Sequence, residues 1–447
     1  MNDEQATLKL GTEKIRKLLL EYAIPAIIAM TAASLYNITD SIFIGHGVGP
    51  MALSGLAITF PLMNLAAAFG TLVGVGASTL LSIRIGQRDY ASANLILGNV
   101  LVLNIIMGVV FSIPALLFLE PVLLFFGASP DTLPYAYRFM MIILAGNVVT
   151  HLYFGLNAML RSAGNPRLAM LGTIFTVLIN MILNPLFIFV FKWGIQGSAF
   201  ATVIAQSTVL MWQFYRFYDP RSIIRWQKGI YRLRRNIVRD SLAIGMAPFL
   251  MNAAGCLVVI IINRQLMKYG GDLATGAYGI INRVAFLFVM IVLGLGQGMQ
   301  PIAGYNFGAQ QRRRVTGVLR LSIFYATGIM IVGFVVVELF AGGVASLFTS
   351  DSQQIDMAAT GLRWVFAVYP LVGFQMMCST FFQSIGKPGK AIILSMTRQV
   401  LFLIPLLLIL PCQWGVTGVW SSLTFSDALS VVLAGGLLAW EIRSRQS

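Results

Sequence analysis

Ionisable and amide side chains stand inside long apolar stretches of this sequence. Asp40 lies in the first such stretch, with Tyr36 four residues and Asn37 three residues before it. In a helix, these spacings put the three side chains on one face. No basic residue is near Asp40 in sequence. A buried carboxylate at this position can exchange a proton or bind a cation. The alternative is that Asp40 lies at the outer mouth of its span and is simply hydrated.

A second polar group follows in the fifth and sixth apolar stretches. Asn180 and Asn184 are four residues apart, and Pro185, which has no N–H, leaves the carbonyl of Met181 without its helical partner. With the hydroxyl of Thr202, these oxygens form a set of ligands suited to a hard cation such as Na⁺. The alternative is that the amides only join neighbouring helices through packing and hydrogen bonds.

Three further residues interrupt apolar stretches. Pro25 weakens the helix that carries Asp40, and a bend there would act as a hinge if it responded to the state of Asp40. A static kink explains this proline equally well.

Asp427 in the last stretch and Arg398 in the stretch before it can form an ion pair within the membrane. Its role would be either structural packing or transport.

Transmembrane helices must position these residues. Apolar residues make up 57% of the 447 residues and charged residues 11%, against about 45–50% and about 25% in soluble domains. Lipid must therefore solvate most of the chain. A span needs about 20 mostly apolar residues. This criterion predicts an all-α integral membrane protein with twelve spans, at 18–44, 53–82, 94–119, 136–160, 168–191, 196–215, 241–267, 275–303, 316–340, 360–384, 390–411 and 416–440.

The net charge of +15 is distributed in step with the predicted loops. Basic residues collect before span 1, after every second span and above all in the linker after span 6. The linker contains Arg216, Arg221, Arg225, Lys228, Arg232, Arg234, Arg235 and Arg239. This pattern predicts that the linker and both termini are cytoplasmic. Because topology explains the charge, no nucleic-acid partner is expected.

The sequence also contains an internal repeat. Gly76 and Gly86 pair with Gly298 and Gly308 at a sequence offset of 222 in both cases. Each half has an even number of spans, so the halves are related by an axis along the membrane normal. Rocking one such half against the other gives alternating access to a central pathway. We therefore predict an N-terminal lobe at 1–215, a basic linker at 216–240 and a C-terminal lobe at 241–447.

The sequence argues against an enzyme. It has no phosphate-binding Gly-Lys-Ser/Thr loop, no His-Glu-x-x-His and no Gly-x-Ser-x-Gly motif. With only His46 and His151, a catalytic metal centre is not expected, and no cofactor is implied. An ion gradient or the gradient of the substrate itself must supply any driving force.

The combined features resemble the multidrug and toxic compound extrusion (MATE) family, most closely its prokaryotic DinF-like branch. The resemblance covers essentially the whole chain. It rests on the two six-span halves, the Pro25 and Asp40 pair, the Gly-Gln-Arg motif at 86–88 and the Ser-Ala-Gly-Asn-Pro run at 162–166. It implies two six-helix lobes around a V-shaped cavity. It further implies a monomer in a bacterial inner membrane that exports small amphipathic or cationic compounds, including antibiotics, in exchange for protons or sodium.

The resemblance also implies a coupling site in the N-terminal lobe. The family's DinF-like branch uses a span-one aspartate, polar groups of span five and a span-six threonine, and Asp40, Asn180, Asn184 and Thr202 stand at those places. Some relatives carry a second aspartate where this chain has Asn184. Because a tight sodium site gains from more than one negative charge, we expect H⁺ rather than Na⁺ as the coupling ion. The acids that other branches carry in spans seven and ten are missing at 252–263 and 371–384.

A flippase for lipid-linked saccharides, from the same superfamily, is the alternative function. Such a carrier handles large anionic headgroups and would need several arginines that face its cavity. The basic residues inside spans reduce here to Arg398 and at most Arg264 or Arg283. Export of small molecules is therefore the favoured interpretation.

Overall fold

The computed structural model describes residues 3–220 and 222–444, and these consist of helices and their connections, with no strand. Seven helical segments are long and apolar enough to cross a membrane, and two bent helix pairs supply two further spans. Gly271 and Gly415 have non-helical torsions, so each divides one long segment into two helices. The helix Ile195–Arg216 adds the last span. The prediction of an all-α membrane protein with twelve spans is confirmed.

The first half of the chain forms six spans after a short helix, Asp3–Thr12. Spans 1 to 6 are Ile15–Gly47, Pro50–Gly86, Tyr90–Leu117, the bent pair Leu133–Ala145 and Asn147–Ser162, Pro166–Pro185 with its continuation Leu186–Val190, and Ile195–Arg216. The helix Leu119–Phe125 lies between spans 3 and 4. Span 5 widens to a π-helix directly after Pro185, where the missing N–H interrupts the hydrogen-bond ladder.

The second half repeats this arrangement. Spans 7 and 8 share Arg235–Gly308 on either side of Gly271, span 9 is Arg312–Ser346, and span 10 is the bent pair Ser352–Phe366 and Tyr369–Ser384. Span 11 comprises Pro388–Met396, the π-helix Thr397–Leu403 and the start of Ile404–Ser444, whose remainder after Gly415 is span 12. Three parts of the predicted domains lie outside the described residues: 1–2 of the N-terminal lobe, Arg221 of the linker and 445–447 of the C-terminal lobe. The predicted lobe boundaries stay predictions.

The same local distortions recur in both halves. Spans 4 and 10 are bent by 54° and 51°. The turns that precede spans 6 and 12 each contain a glycine in the left-handed region, Gly194 with φ 59° and Gly415 with φ 55°. A side chain with a Cβ would be strained at both positions. The offset between these two glycines differs by a single position from the repeat found in the sequence.

Closely packed glycines join the two halves near the membrane face that carries the linker and both termini. A Cβ on Gly86 would collide with the carbonyl oxygen of Tyr305, and a Cβ on Gly308 would collide with that of Ile83. Tyr305 follows Ile83 by the same offset at which Gly308 follows Gly86. The contact is therefore reciprocal about the pseudo-two-fold axis, and only glycine permits it at both places.

The repeat-related pair Gly76 and Gly298 extends this contact. Gly76 lies against the backbone of Ser241 at the start of span 7, and Gly298 lies against the backbone of Ala23 at the start of span 1. We call Gly76, Gly86, Gly298 and Gly308 the glycine seam. Polar contacts also cross between the halves: Arg161 donates to the Gln297 side chain, and Gln300 Nε2 donates to the Val75 carbonyl at 3.2 Å.

Candidate ion-coupling site

Three helices of the first half each supply two polar side chains one turn apart. Span 1 supplies Tyr36 and Asp40, span 5 supplies Asn180 and Asn184, and span 6 supplies Ser198 and Thr202. Residues at i and i+4 lie one above the other on a helix face. Because span 6 runs antiparallel to spans 1 and 5, the six side chains form two layers.

The first layer surrounds the carboxylate of Asp40, which is 7% exposed. Asn184 Nδ2 and Ser198 Oγ both donate to the same oxygen, Asp40 Oδ1. Asn184 and Ser198 are fully buried. Hydrogen bonds to an ionised oxygen are about twice as strong as neutral ones, so these donors compensate part of the cost of burying the charge.

The second layer is centred on the hydroxyl of Thr202. Its Oγ1 lies 2.7 Å from the Tyr36 hydroxyl and accepts from Asn180 Nδ2 at 3.2 Å. Thr202 Oγ1 also donates to the backbone carbonyl of Ser198 at 3.1 Å. That carbonyl belongs to the residue whose side chain contacts Asp40, so the two layers are joined through span 6.

One acceptor in the first layer has no partner. Asn184 Oδ1 is buried and makes no hydrogen bond to any residue that the structure describes. An unsatisfied buried acceptor costs about 1–3 kcal/mol. If the amide turns over, Asn184 Oδ1 therefore becomes available to a cation or to a protonated Asp40. Among residues 3–220 and 222–444, no group of three or more His, Cys, Asp or Glu side chains is arranged to bind a metal ion.

The structure brings together most, but not all, of the predicted site residues. Asp40, Tyr36, Asn180, Asn184 and Thr202 lie in the two layers. Asn37 does not: its side chain is exposed and donates to the Ala33 carbonyl of its own helix at 3.1 Å. The structure does not bring Asn37 to Asp40, because the helix turns the i−3 position away from spans 5 and 6, and a coupling role for Asn37 stays a prediction.

Pro25 lies far from the two layers. It is buried within the continuous helix Ile15–Gly47. It precedes Asp40 by 15 residues, which is about 22 Å at the rise of an α-helix. Its neighbour Ala23 contacts Gly298 of the glycine seam. Pro25 thus lies at the junction of the two halves, and any hinge role remains a prediction.

Sequence reasoning missed Ser198. This residue was identifiable, because it precedes Thr202 by four residues and so shares its helix face. A serine in an apolar stretch carries little weight alone, since its hydroxyl commonly bonds to the preceding turn of its own helix. Here the hydroxyl instead donates to Asp40 across a helix interface.

The predicted pair in the second half is formed. Arg398 Nε donates to Asp427 Oδ1 at 2.7 Å, between the π-helix of span 11 and the middle of span 12. Ser426 Oγ donates to the backbone carbonyl of Arg398 at 2.8 Å. The side chains of Arg398 and Asp427 are 28% and 10% exposed. This environment is partly shielded, so the loss of one partner would leave the other charge poorly compensated.

Asp427→Asn is therefore expected to destabilise the protein through the unpaired Arg398. Breaking a buried pair by removing one partner costs about 3–5 kcal/mol of folding free energy. Because Arg398 is partly exposed, we expect a loss at the lower end of this range. The double variant Arg398→Gln/Asp427→Asn, which leaves no lone charge, should recover much of the loss. Thermal unfolding of the detergent-solubilised variants measures both effects. Equal unfolding midpoints for the single variant and the wild type would show that the pair has no structural role.

Comparison with known proteins agrees with this architecture. The sequence profile of the MatE family matches residues 25–186 and again 247–409, one match in each half. The chain belongs to the MATE family. The first residues of the two matches are 222 positions apart, which is the same offset that separates the paired glycines of the seam. The MATE transporters are not enzymes, as the sequence indicated.

Relatives of known function and structure match along their whole length. The multidrug export protein MepA of Staphylococcus aureus (strain MRSA252) is 26% identical over 445 residues, which cover 100% of this chain and 98% of MepA. The solved MATE multidrug transporter DinF-BH in complex with rhodamine 6G is 35% identical and covers 96% of each chain, with a TM-score of 0.89. An outward-facing MATE family transporter has a TM-score of 0.91 at 24% identity, which shows the shared fold. The chain is thus a membrane-spanning member of a family of multidrug efflux transporters.

Proposed function

We propose that this MATE protein is a secondary active exporter that exchanges small organic compounds, many of them cations, for H⁺. We place it in the bacterial inner membrane as a monomer with cytoplasmic termini. The observation that carries the proposal is the buried carboxylate of Asp40, held by two donors from spans 5 and 6 and supported by a second polar layer. The structure of the relative DinF-BH with rhodamine 6G supports an organic compound as the substrate.

The reciprocal glycine seam supports alternating access. Its contacts lie near the membrane face of the termini, so they close the pathway on that side. Substrate uptake from the cytoplasm then requires the halves to separate there. Because no Cβ intervenes, backbone meets backbone, and the seam has a well-defined closed arrangement that can alternate with a separated one.

Protonation of Asp40 provides a local switch. The ionised carboxylate only accepts hydrogen bonds, which suits the amide of Asn184 and the hydroxyl of Ser198 in their present orientation. A protonated carboxyl must also donate, and the unpartnered Asn184 Oδ1 becomes an acceptor for it when the amide turns over. Proton uptake thus rearranges contacts among three helices, as a two-state switch requires.

Sodium is the less favoured coupling ion. A Na⁺ site would use Asp40 with the amide oxygens of Asn180 and Asn184 and the hydroxyl of Thr202. Hard cations bind more tightly as carboxylate ligands are added, and this cluster contains one acid among the described residues. Both amide nitrogens now face the centre of their layers, so sodium binding would require both amides to turn over.

Transport in inverted membrane vesicles tests the proposal. Uptake of the dye rhodamine 6G is measured with an imposed pH gradient and no sodium gradient, and then with a sodium gradient and the pH gradient collapsed. We expect uptake in the first condition and none in the second. The reverse result would assign sodium coupling, and no uptake in either condition would count against ion-driven export of this compound.

A further inference from the structure

The linker between the halves is fixed to the surface of span 3. Asn94 Nδ2 donates to the Ile223 carbonyl at 3.1 Å, and its Oδ1 accepts from the Arg225 N–H at 2.8 Å. One and a half turns further on, Asn99 Nδ2 donates to the carbonyl of Ile230 at 3.3 Å and its Oδ1 accepts from the Arg234 N–H at 2.8 Å. Two asparagines of one helix thus satisfy the backbone of two linker segments.

Apolar side chains hold the same segment from within. Ile224 and Ile230 are buried. Gly98 of span 3 lies so close to Ile230 that a Cβ would collide with its backbone carbonyl. Trp226 Nε1 donates to the Phe214 carbonyl at 3.0 Å. The linker therefore has a defined shape, although it is not helical, and presents its remaining side chains in fixed positions.

Those remaining side chains are basic and apolar together. We define the basic strip as Lys228, Tyr231, Arg232, Leu233 and Arg235. All five are exposed, Tyr231 to 45% and Leu233 to 40%. Tyr231 also stacks on Trp226, with ring centroids 6.3 Å apart. Within the described part of the chain, no ion pair compensates the three cations of the strip.

The strip lies at the edge of the bilayer. Span 3 has 28 residues, about 42 Å, against a hydrocarbon core of about 30 Å. Asn99 is nine residues inside the linker end of this helix, about 13 Å. The helix is polar at its linker end, with Ser92 and Asn94, and apolar at its other end as far as Leu117, so its excess length of about 12 Å lies on the linker side. The linker that Asn99 binds is therefore level with the lipid headgroups. Exposed cations interleaved with Tyr and Leu are typical of surfaces that rest in this layer.

We propose that the basic strip binds the headgroups of anionic phospholipids in the adjacent leaflet. The three cations attract the phosphates, while Tyr231 and Leu233 enter the boundary of the acyl chains. Because Asn94 and Asn99 hold the strip on span 3, bound lipid would anchor the first half of the protein at this membrane face. The proposal depends on the geometry of the linker and not on the identity of the coupling ion or the substrate.

Lipid retention by the full chain tests this proposal. The purified protein is reconstituted with equal amounts of phosphatidylglycerol and phosphatidylcholine, extracted in mild detergent, and the retained lipids are counted by native mass spectrometry. We expect the wild type to retain phosphatidylglycerol in excess, and less of it as sodium chloride is raised. The variant Lys228→Gln/Arg232→Gln/Arg235→Gln should reduce this preference by about tenfold or more, since each basic residue near the surface contributes about a fivefold factor.

Two further variants test whether the lipid preference depends on charge at the strip itself, rather than on the total charge of the protein or on misfolding. Arg167→Gln/Arg313→Gln/Arg320→Gln removes three other exposed cations and should keep the preference. Lys228→Arg/Arg232→Lys/Arg235→Lys keeps the charge at the strip and should also keep it. No excess of phosphatidylglycerol on the wild type would overturn the proposal. So would an equal loss in the two glutamine variants, or an unchanged preference after neutralisation of the strip.

Discussion

Asp40→Asn is expected to reduce gradient-driven export to the rate of vesicles that contain no transporter. The substitution keeps the volume of the side chain but removes the ionisable group of the two-layer cluster. With no group to exchange the ion, the conformational cycle loses its link to the gradient. Asn184 and Ser198 can still hydrogen-bond to the new amide, so the variant should fold and insert normally. Transport of rhodamine 6G in inverted vesicles, normalised to the amount of purified protein, measures the effect.

Ser41→Ala is the matched control for this variant. Ser41 follows Asp40 directly, but its hydroxyl donates to the Asn37 carbonyl of its own helix at 2.9 Å. Export should therefore continue at nearly the rate of the wild type. Wild-type export by Asp40→Asn, or loss of export in both variants, would remove Asp40 from its proposed role.

Gly86→Val is expected to abolish export through a steric effect on the seam. Its Cβ would collide with the carbonyl oxygen of Tyr305, and a backbone oxygen cannot move aside as a flexible side chain can. Overpacking costs about 1–3 kcal/mol in a closed core, which is enough to hold the halves apart at this face. Gly308→Val should act in the same way, because Gly308 makes the reciprocal contact with Ile83. Export rates of both variants measure the effect.

The same substitution away from the seam provides the control. Gly343 of span 9 is exposed, and a Cβ there would meet no atom within 4 Å. Gly343→Val should therefore export normally. The role of the seam would be refuted by normal export in Gly86→Val, or by equal losses in Gly86→Val and Gly343→Val.

The architecture was predictable from sequence because each part of it leaves a local pattern. Apolar runs of sufficient length gave the number of spans, and glycines at a constant offset gave the repeat. The contacts of those glycines were not predictable. Gly86 meets Tyr305 because two helices from different halves cross there, and nothing in one chain segment indicates the partner of a helix face.

The grouping of most candidate site residues was predictable from the sequence, but the placement of Asn37 was not. In an α-helix, positions i−3 and i−4 lie on either side of a given residue, so Tyr36 and Asn37 were both candidates to accompany Asp40. The neighbouring helices decide between them: Tyr36 reaches Thr202 of span 6, whereas Asn37 is exposed and bonds to its own helix. Ser198 was missed for the same reason, because its hydroxyl reaches Asp40 only where span 1 packs beside span 6.

Proton release on substrate binding tests the central claim, that the Asp40 cluster exchanges a proton for substrate. Rhodamine 6G is added to the purified protein in weakly buffered detergent solution, and the pH change is recorded against a calibrated acid addition. By linkage, substrate and proton should displace each other, so the wild type should release up to roughly one proton per molecule. Asp40→Asn should bind the dye and release none. Equal proton release by the wild type and Asp40→Asn would contradict the account.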